Sequence, residues 1–87
     1  MAYQVLIKDS ARKELAALSL PLQKRIDTRI RALSENPRPS GIKKLAGDEN
    51  LYRLRVSDYR IIYQIQDKAL LVLVIKISLH REVYRKR

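Results

Sequence analysis

The sequence predicts an α+β domain in which two N-terminal helices pack on one face of a twisted, mainly antiparallel sheet, with a short basic segment at the C-terminus. Three observations predict it. Leu51 to Ile65, LYRLRVSDYRIIYQI, alternates with a period of two on either side of Ser57-Asp58, the pattern of a β-hairpin. Two upstream stretches carry apolar residues at helical spacing, and downstream Ala69 to Ile77 is an almost unbroken apolar run. A strand, two helices and then a meander of strands implies a helical layer on one face of a sheet and leaves the other face free for function.

Taken in order, Tyr3 to Lys8 reads as a first strand. Asp9-Ser10 offers an N-cap to a helix of about two turns, on which Ala11, Leu15 and Leu18 share a stripe. Ser19-Leu20-Pro21 restarts the chain with a cap and a proline suited to a first turn, and Leu22, Ile26, Ile30 and Leu33 line a longer second helix. Its other face carries Lys24, Arg25, Arg29 and Arg31, either a solvated face or a contact with nucleic acid. Asn36-Pro37-Arg38-Pro39 ends it, because the residue before a proline is driven out of the helical region. Ile42 to Leu45 is a brief strand candidate, and Ala46 to Asn50 a loop. The hairpin follows, then a tight connection at Asp67-Lys68. Ala69 to Ile77 reads as a strand buried on both faces in the middle of the sheet.

The hairpin is where the charge pattern becomes specific. If Ser57 and Asp58 are its two loop residues, Val56 pairs with Tyr59, Arg55 with Arg60, Leu54 with Ile61 and Arg53 with Ile62. Ser-Asp is a weaker two-residue loop than Asn-Gly, and a longer loop would shift this register. In the two-residue register three arginines share one face. Like charges directly opposite cost up to about 1 kcal/mol, so Arg55 against Arg60 points to an anionic third party, with phosphate the natural choice. The plain alternative is a solvated face whose basic side chains keep the sheet soluble.

Composition narrows the classes. A chain of 87 residues is one domain, 1–87, with a modest core. It has no cysteine and one histidine, His80, which excludes disulfides, thiolate metal sites and a Cys-His pair. No metal or cofactor is expected. No secretory segment is visible and the longest apolar run is too short to span a bilayer, so a soluble cytoplasmic protein without a membrane partner is expected. Nineteen Lys and Arg against nine Asp and Glu give a net charge of +10, which calls for a polyanionic partner such as nucleic acid or an acidic protein. There is no Gly-rich phosphate loop and no nucleophile elbow. What remains is arginine, tyrosine and one histidine acting on a phosphodiester. RNA carries its own nucleophile in the 2′-hydroxyl, so such a protein need supply only orientation, charge stabilisation and proton transfer.

The hairpin LYRLRVSDYRIIYQI, the strand ending VIKI and the terminal HREVYRKR together resemble the RelE family of the RelE/ParE superfamily, the toxins of bacterial toxin-antitoxin pairs. The opening MAYQVLIKDSARKELAAL fits the family's first strand and helix, so the similarity covers nearly the whole chain. The resemblance implies a metal-independent, ribosome-dependent endoribonuclease (mRNA interferase) that cuts mRNA in the ribosomal A site. It also implies a RelB-like antitoxin, acidic and partly disordered, held in a hetero-oligomer. By position, Arg53, Arg55 and Arg60 match basic residues of the family's hairpin, and Tyr84 matches its terminal tyrosine. After the last strand the family commonly has a glycine and a basic cluster, where this chain has Ser78-Leu79-His80-Arg81, so either Arg81 or His80 takes the terminal basic role. The resulting catalytic set is Arg53, Arg55, Arg60, His80, Arg81 and Tyr84. Lys43, Lys44, Lys76, Arg85, Lys86 and Arg87 are expected to contact RNA or the ribosome. Two rivals stand beside this reading: a ParE-like poison of DNA gyrase that cuts no RNA, and a non-enzymatic RNA-binding module.

Overall fold

The computed structural model of the chain describes residues 2–45, 47 and 50–79. The strands are β1 (Gln4–Ile7), β2 (Lys43–Lys44), β3 (Leu51–Val56), β4 (Tyr59–Gln66) and β5 (Leu71–Leu79), and the helices α1 (Asp9–Ala16) and α2 (Leu20–Ala32). The sheet order is β1-β5-β4-β3-β2. Three pairings are antiparallel and one, β1 with β5, is parallel, because the two helices carry the chain from the first strand back across the sheet. Among the described residues, no helix is long and apolar enough to cross a membrane.

The helices keep to one face. Ala11 from α1, Ile26 and Ile30 from α2 and Leu33 just beyond it pack against Leu54, Val56, Ile61, Tyr63, Ile65, Val72, Val74 and Ile77 of the sheet. Burying side chains of this kind contributes about 1.5–3 kcal/mol each, which makes this layer the main stabilising element. The α1 cap differs from expectation: Lys8 is the N-cap residue, with no side-chain cap bond, and Asp9 lies in the first turn, where its charge complements the helix dipole. Helix α2 starts where expected, with Ser19 at the N-cap position and a proline in the first turn, but the Ser19 side chain makes no cap bond. Gln23 Nε2 donates to the Leu18 carbonyl in the connection at 2.8 Å and to the Ala16 carbonyl at the end of α1 at 3.3 Å, which ties α2 to the last turn of α1.

The hairpin register is the one the alternation predicts, from Val56 opposite Tyr59 to Arg53 opposite Ile62. Only Ser57 of the two loop residues takes a positive φ, at 54°, the sign pattern of a type II′ rather than a type I′ turn. Holding a non-glycine residue at such a positive φ costs on the order of 1–3 kcal/mol. The connection to β5 is a short 3₁₀ turn, Asp67–Ala69, closed by Leu70 in the left-handed region, so the strand begins at Leu71 and not at Ala69. Nor is β5 buried on both faces. Val72, Val74 and Ile77 are buried, but Leu71, Leu73 and Ile75 are only half-buried, because no described element covers the second face of the sheet.

At the end of the sheet away from the hairpin tip, one cluster ties the layers together. Arg38 grips Asp67 through Nη1 and Nη2 at 3.1 and 2.8 Å, and the Tyr3 hydroxyl donates to the same carboxylate at 2.7 Å. The Arg38 guanidinium also lies 5.5 Å over the Tyr52 ring, which stacks on Tyr63. The Tyr63 hydroxyl donates to the Pro37 carbonyl at 2.8 Å, and burial pushes its phenol up to about 12.

Two expectations follow. The Arg38 guanidinium, with help from Tyr3, holds the Asp67 carboxyl down at about 2, against an ordinary value of 3.8. A lowered folded value means that its stabilisation is complete above the ordinary value and is lost as pH falls through that interval. Asp67→Asn should therefore lower the melting midpoint near neutral pH, and the gap from wild type should close between about pH 4 and 2; a gap that persists at the acid end would refute this. Secondly, Arg55→Gln removes one of two directly opposed charges. Between roughly 0.1 and 1 M salt, where the Debye length falls from about 10 to about 3 Å, the wild-type melting midpoint should rise more than the variant's. Equal salt responses would show that the pair does not repel.

Candidate active site

Register and pleat together build two cationic rows on the face opposite the helices. In the first, Lys43 pairs with Arg53, Arg53 with Ile62 and Ile62 with Lys76. In the second, Arg55 pairs with Arg60 and Arg60 with Ser78. Adjacent strands lie about 4.8 Å apart, so each row puts its charges within reach of a single bound strand. Arg53 and Arg60 are half-buried and Arg55 is exposed; the Nε of Arg60 is itself buried.

Lys76 belongs to this face because of a bulge. Tyr63 pairs with Val74 while Ile62 pairs with Lys76, so Ile75 is an extra residue on β5. The bulge reverses the parity of the strand: Val72 and Val74 point into the core before it and Ile77 after it. Without it Lys76 would continue the parity of Val74 and point into the core. The sequence carried a signal for this, a lysine at an even position after two buried even positions. Glu14 of α1 completes the arrangement. β1 stops at Ile7, opposite Val74, which leaves the edge of β5 beyond it without a strand; there Glu14 Oε1 accepts the Ile77 N–H at 2.8 Å and Oε2 pairs with Lys76 Nζ at 2.9 Å. Burial works against the Glu14 charge, but the Ile77 N–H and the Lys76 ammonium outweigh it and its carboxyl titrates below the usual range. Lys76 is therefore already partly neutralised by the protein itself.

The remaining expected residues divide by position. Lys44 pairs with Tyr52, whose ring is on the helix side, so the pleat points Lys44 away from both rows. Lys43 stays with the arginines. His80, Arg81, Tyr84, Arg85, Lys86 and Arg87 lie outside the described residues. Strand β5 ends with Leu79 opposite Tyr59, at the hairpin-tip end of the sheet and one position beyond the Arg60–Ser78 pair. From the basic face of α2, Arg25 reaches Ser57 at the tip, while Arg31 is held by Asp27 in an ion pair one helical turn apart. On the β1 side the cationic rows give way to apolar side chains, with Leu6 44% exposed beside the half-buried Leu73.

Residues 5–84 match the model of a family described as the ParE toxin of the type II toxin-antitoxin system parDE. A RelE-like toxin protein of Escherichia coli is 32% identical over 81 residues, which cover 90% of this chain and 83% of that protein. Among solved structures, RelE in the archaeal RelE-RelB complex of Pyrococcus horikoshii OT3 superposes with a TM-score of 0.83 at 29% identity, covering 92% of this chain and 97% of that one. The isolated E. coli RelE toxin superposes with a TM-score of 0.81 at 29% identity, over 95% and 92% of the two chains. The same layers, matched end to end at this level of identity, place the chain in the RelE branch of the fold: it belongs to the RelE/ParE family of toxins of type II toxin-antitoxin systems.

Proposed function

We propose that this toxin is an endoribonuclease of RelE type that cuts mRNA in the ribosomal A site. The observation that carries the reading is the direct opposition of Arg55 and Arg60, with Arg53 and Lys43 beside them. A surface that converges like charges, against their mutual repulsion, is matched to a ligand that concentrates negative charge, and a phosphodiester approaching a pentacovalent state does so. Guanidinium forks suit it because their donors hold two phosphate oxygens at once. The 2′-hydroxyl of the message is the nucleophile: its oxygen attacks the adjacent phosphorus, the 5′-oxygen leaves, and a 2′,3′-cyclic phosphate and a 5′-hydroxyl result. One proton must leave the attacking hydroxyl and one must reach the leaving oxygen. His80 and Tyr84 carry this transfer in our reading, with Arg81 or His80 as the terminal cation.

The ribosome supplies what this surface lacks. Four cations on a shallow sheet bind phosphate without choosing a conformation, and in-line attack needs the 2′-oxygen, phosphorus and leaving oxygen aligned. The antitoxin follows from the same charge: an acidic segment that orders on the cationic face would neutralise it and block the message. The solved RelE-RelB complex from P. horikoshii and the intact RelBE complex from E. coli, 26% identical to this chain with a TM-score of 0.79, support such a partner. Poisoning of DNA gyrase is the second reading, favoured by the description of the matching family as ParE.

One experiment separates them. On programmed ribosomes, Arg60→Gln should lower single-turnover cleavage by about 10²-fold, the scale for removing one preorganised donor to a developing charge, and weaken ribosome binding far less. Naked RNA of the same sequence should be cut hardly at all. Inhibition of gyrase supercoiling by a wild-type protein that leaves ribosome-bound mRNA intact would establish the second reading instead.

A further inference from the structure

The hairpin tip is gripped by arginines from both layers. Arg25 of α2 donates from Nη1 to the Ser57 hydroxyl at 2.7 Å, and Arg55 donates from Nε to the Ser57 carbonyl at 3.0 Å. Ser57 is also the loop residue held in the left-handed region, at φ 54°, a conformation serine adopts only when its surroundings support it. The three facts form one chain of constraint. The side-chain bond to Arg25 keeps Ser57 in the left-handed turn, the turn aims the Ser57 carbonyl, and the carbonyl fixes the Nε edge of Arg55. With Nε engaged, the two Nη groups of Arg55 are the donors that remain for a ligand, and their plane is set before any ligand arrives.

We propose that Arg25 is a positioning residue for Arg55: it acts from the helical layer, through Ser57, to hold the Arg55 fork in one orientation on the cationic face. The inference rests on the cleavage reading for its consequence in rate, but its physical link can be measured without it. Arg25 is one of several basic residues on an exposed helical face, and nothing in its sequence position distinguishes it from Lys24 or Arg29; the contact with a residue 32 positions away does. The link also explains why a loop that lacks glycine and asparagine works here. Arg25 provides from outside the turn the support that those residues carry in their own backbone preferences.

The test uses Arg25→Gln, Ser57→Ala, Ser57→Gly and the double variant Arg25→Gln/Arg55→Gln. In the free protein, the Arg55 Nε–H resonance should be slowed in solvent exchange in wild type and in Ser57→Gly, which takes the left-handed turn unaided. It should exchange faster in Arg25→Gln and Ser57→Ala. On programmed ribosomes, Arg25→Gln and Ser57→Ala should each slow the saturated single-turnover rate by about tenfold, less than the roughly 10²-fold that a full 1 Å misplacement can cost, at unchanged half-saturation, with Ser57→Gly close to wild type. In the Arg55→Gln background, Arg25→Gln should cost nothing further. A full second loss in the double variant would mean that Arg25 touches RNA itself, and an unchanged Nε–H resonance in Arg25→Gln would mean that there is no link; either overturns the proposal. If wild-type protein cuts nothing, the cleavage reading fails by itself and the exchange measurement alone decides between link and no link.

Discussion

The two-residue turn between β3 and β4 fixes a register, and both faces of the sheet depend on it. Side chains alternate, so one register assigns Leu54, Val56, Ile61 and Tyr63 to the core and Arg53, Arg55 and Arg60 to the opposite face. A slip by a single residue would exchange the two sets. The apolar set decides the contest. Four buried side chains at about 1.5–3 kcal/mol each outweigh an opposed arginine pair that costs at most about 1 kcal/mol. The core therefore imposes on the open face a charge arrangement that the open face would not adopt alone. A fold with this property can hold a preorganised anion site with no ligand bound.

The rest of the molecule divides between stability and exposure along the strand direction. At the far end, Arg38, Asp67, Tyr3 and the Tyr52–Tyr63 stack join the loop after α2 to β1, β3 and β4 in a polar and aromatic knot. At the hairpin end, polar contacts serve placement. Glu14 covers an open strand edge and draws in Lys76, a bulge turns Lys76 to the cationic face, and Arg25 holds the turn. Ordering two ends of a small domain for different purposes is economical because a single apolar layer supports both.

Much of this was legible in the chain, for reasons that differ by element. The hairpin and its arginine row follow from local alternation and a short loop, and α2 from a cap, a first-turn proline and four apolar positions. The sequence misleads where composition stands in for environment. Ala69 to Ile77 is apolar enough for burial on both faces, yet what buries a face is a layer of structure, and the described residues provide one only on the helix side. Asp9-Ser10 has the composition of a cap, but the helix starts one residue earlier than that assignment allows. Lys43 and Lys44 are adjacent and identical in chemistry, so only register shows that they face opposite ways. The contacts least legible are those between residues far apart in sequence: Tyr3 with Asp67 at 64 positions, Glu14 with Ile77 at 63 and Arg25 with Ser57 at 32. No periodicity encodes such pairs. Arginines on α2 look alike until the sheet has formed beneath them.

In the proposed mechanism the protein contributes charge and orientation while the message contributes the nucleophile. The most direct measurement places a 2′-O-methyl nucleotide at the mapped cleavage position of an mRNA on programmed ribosomes and compares it with the unmodified message. The methylated message should bind the toxin normally and remain uncut at that position, while the control yields fragments ending in a 2′,3′-cyclic phosphate and beginning with a 5′-hydroxyl. Cleavage of the methylated message at the same bond, or fragments that begin with a 5′-phosphate, would show that water is the nucleophile and would contradict the account.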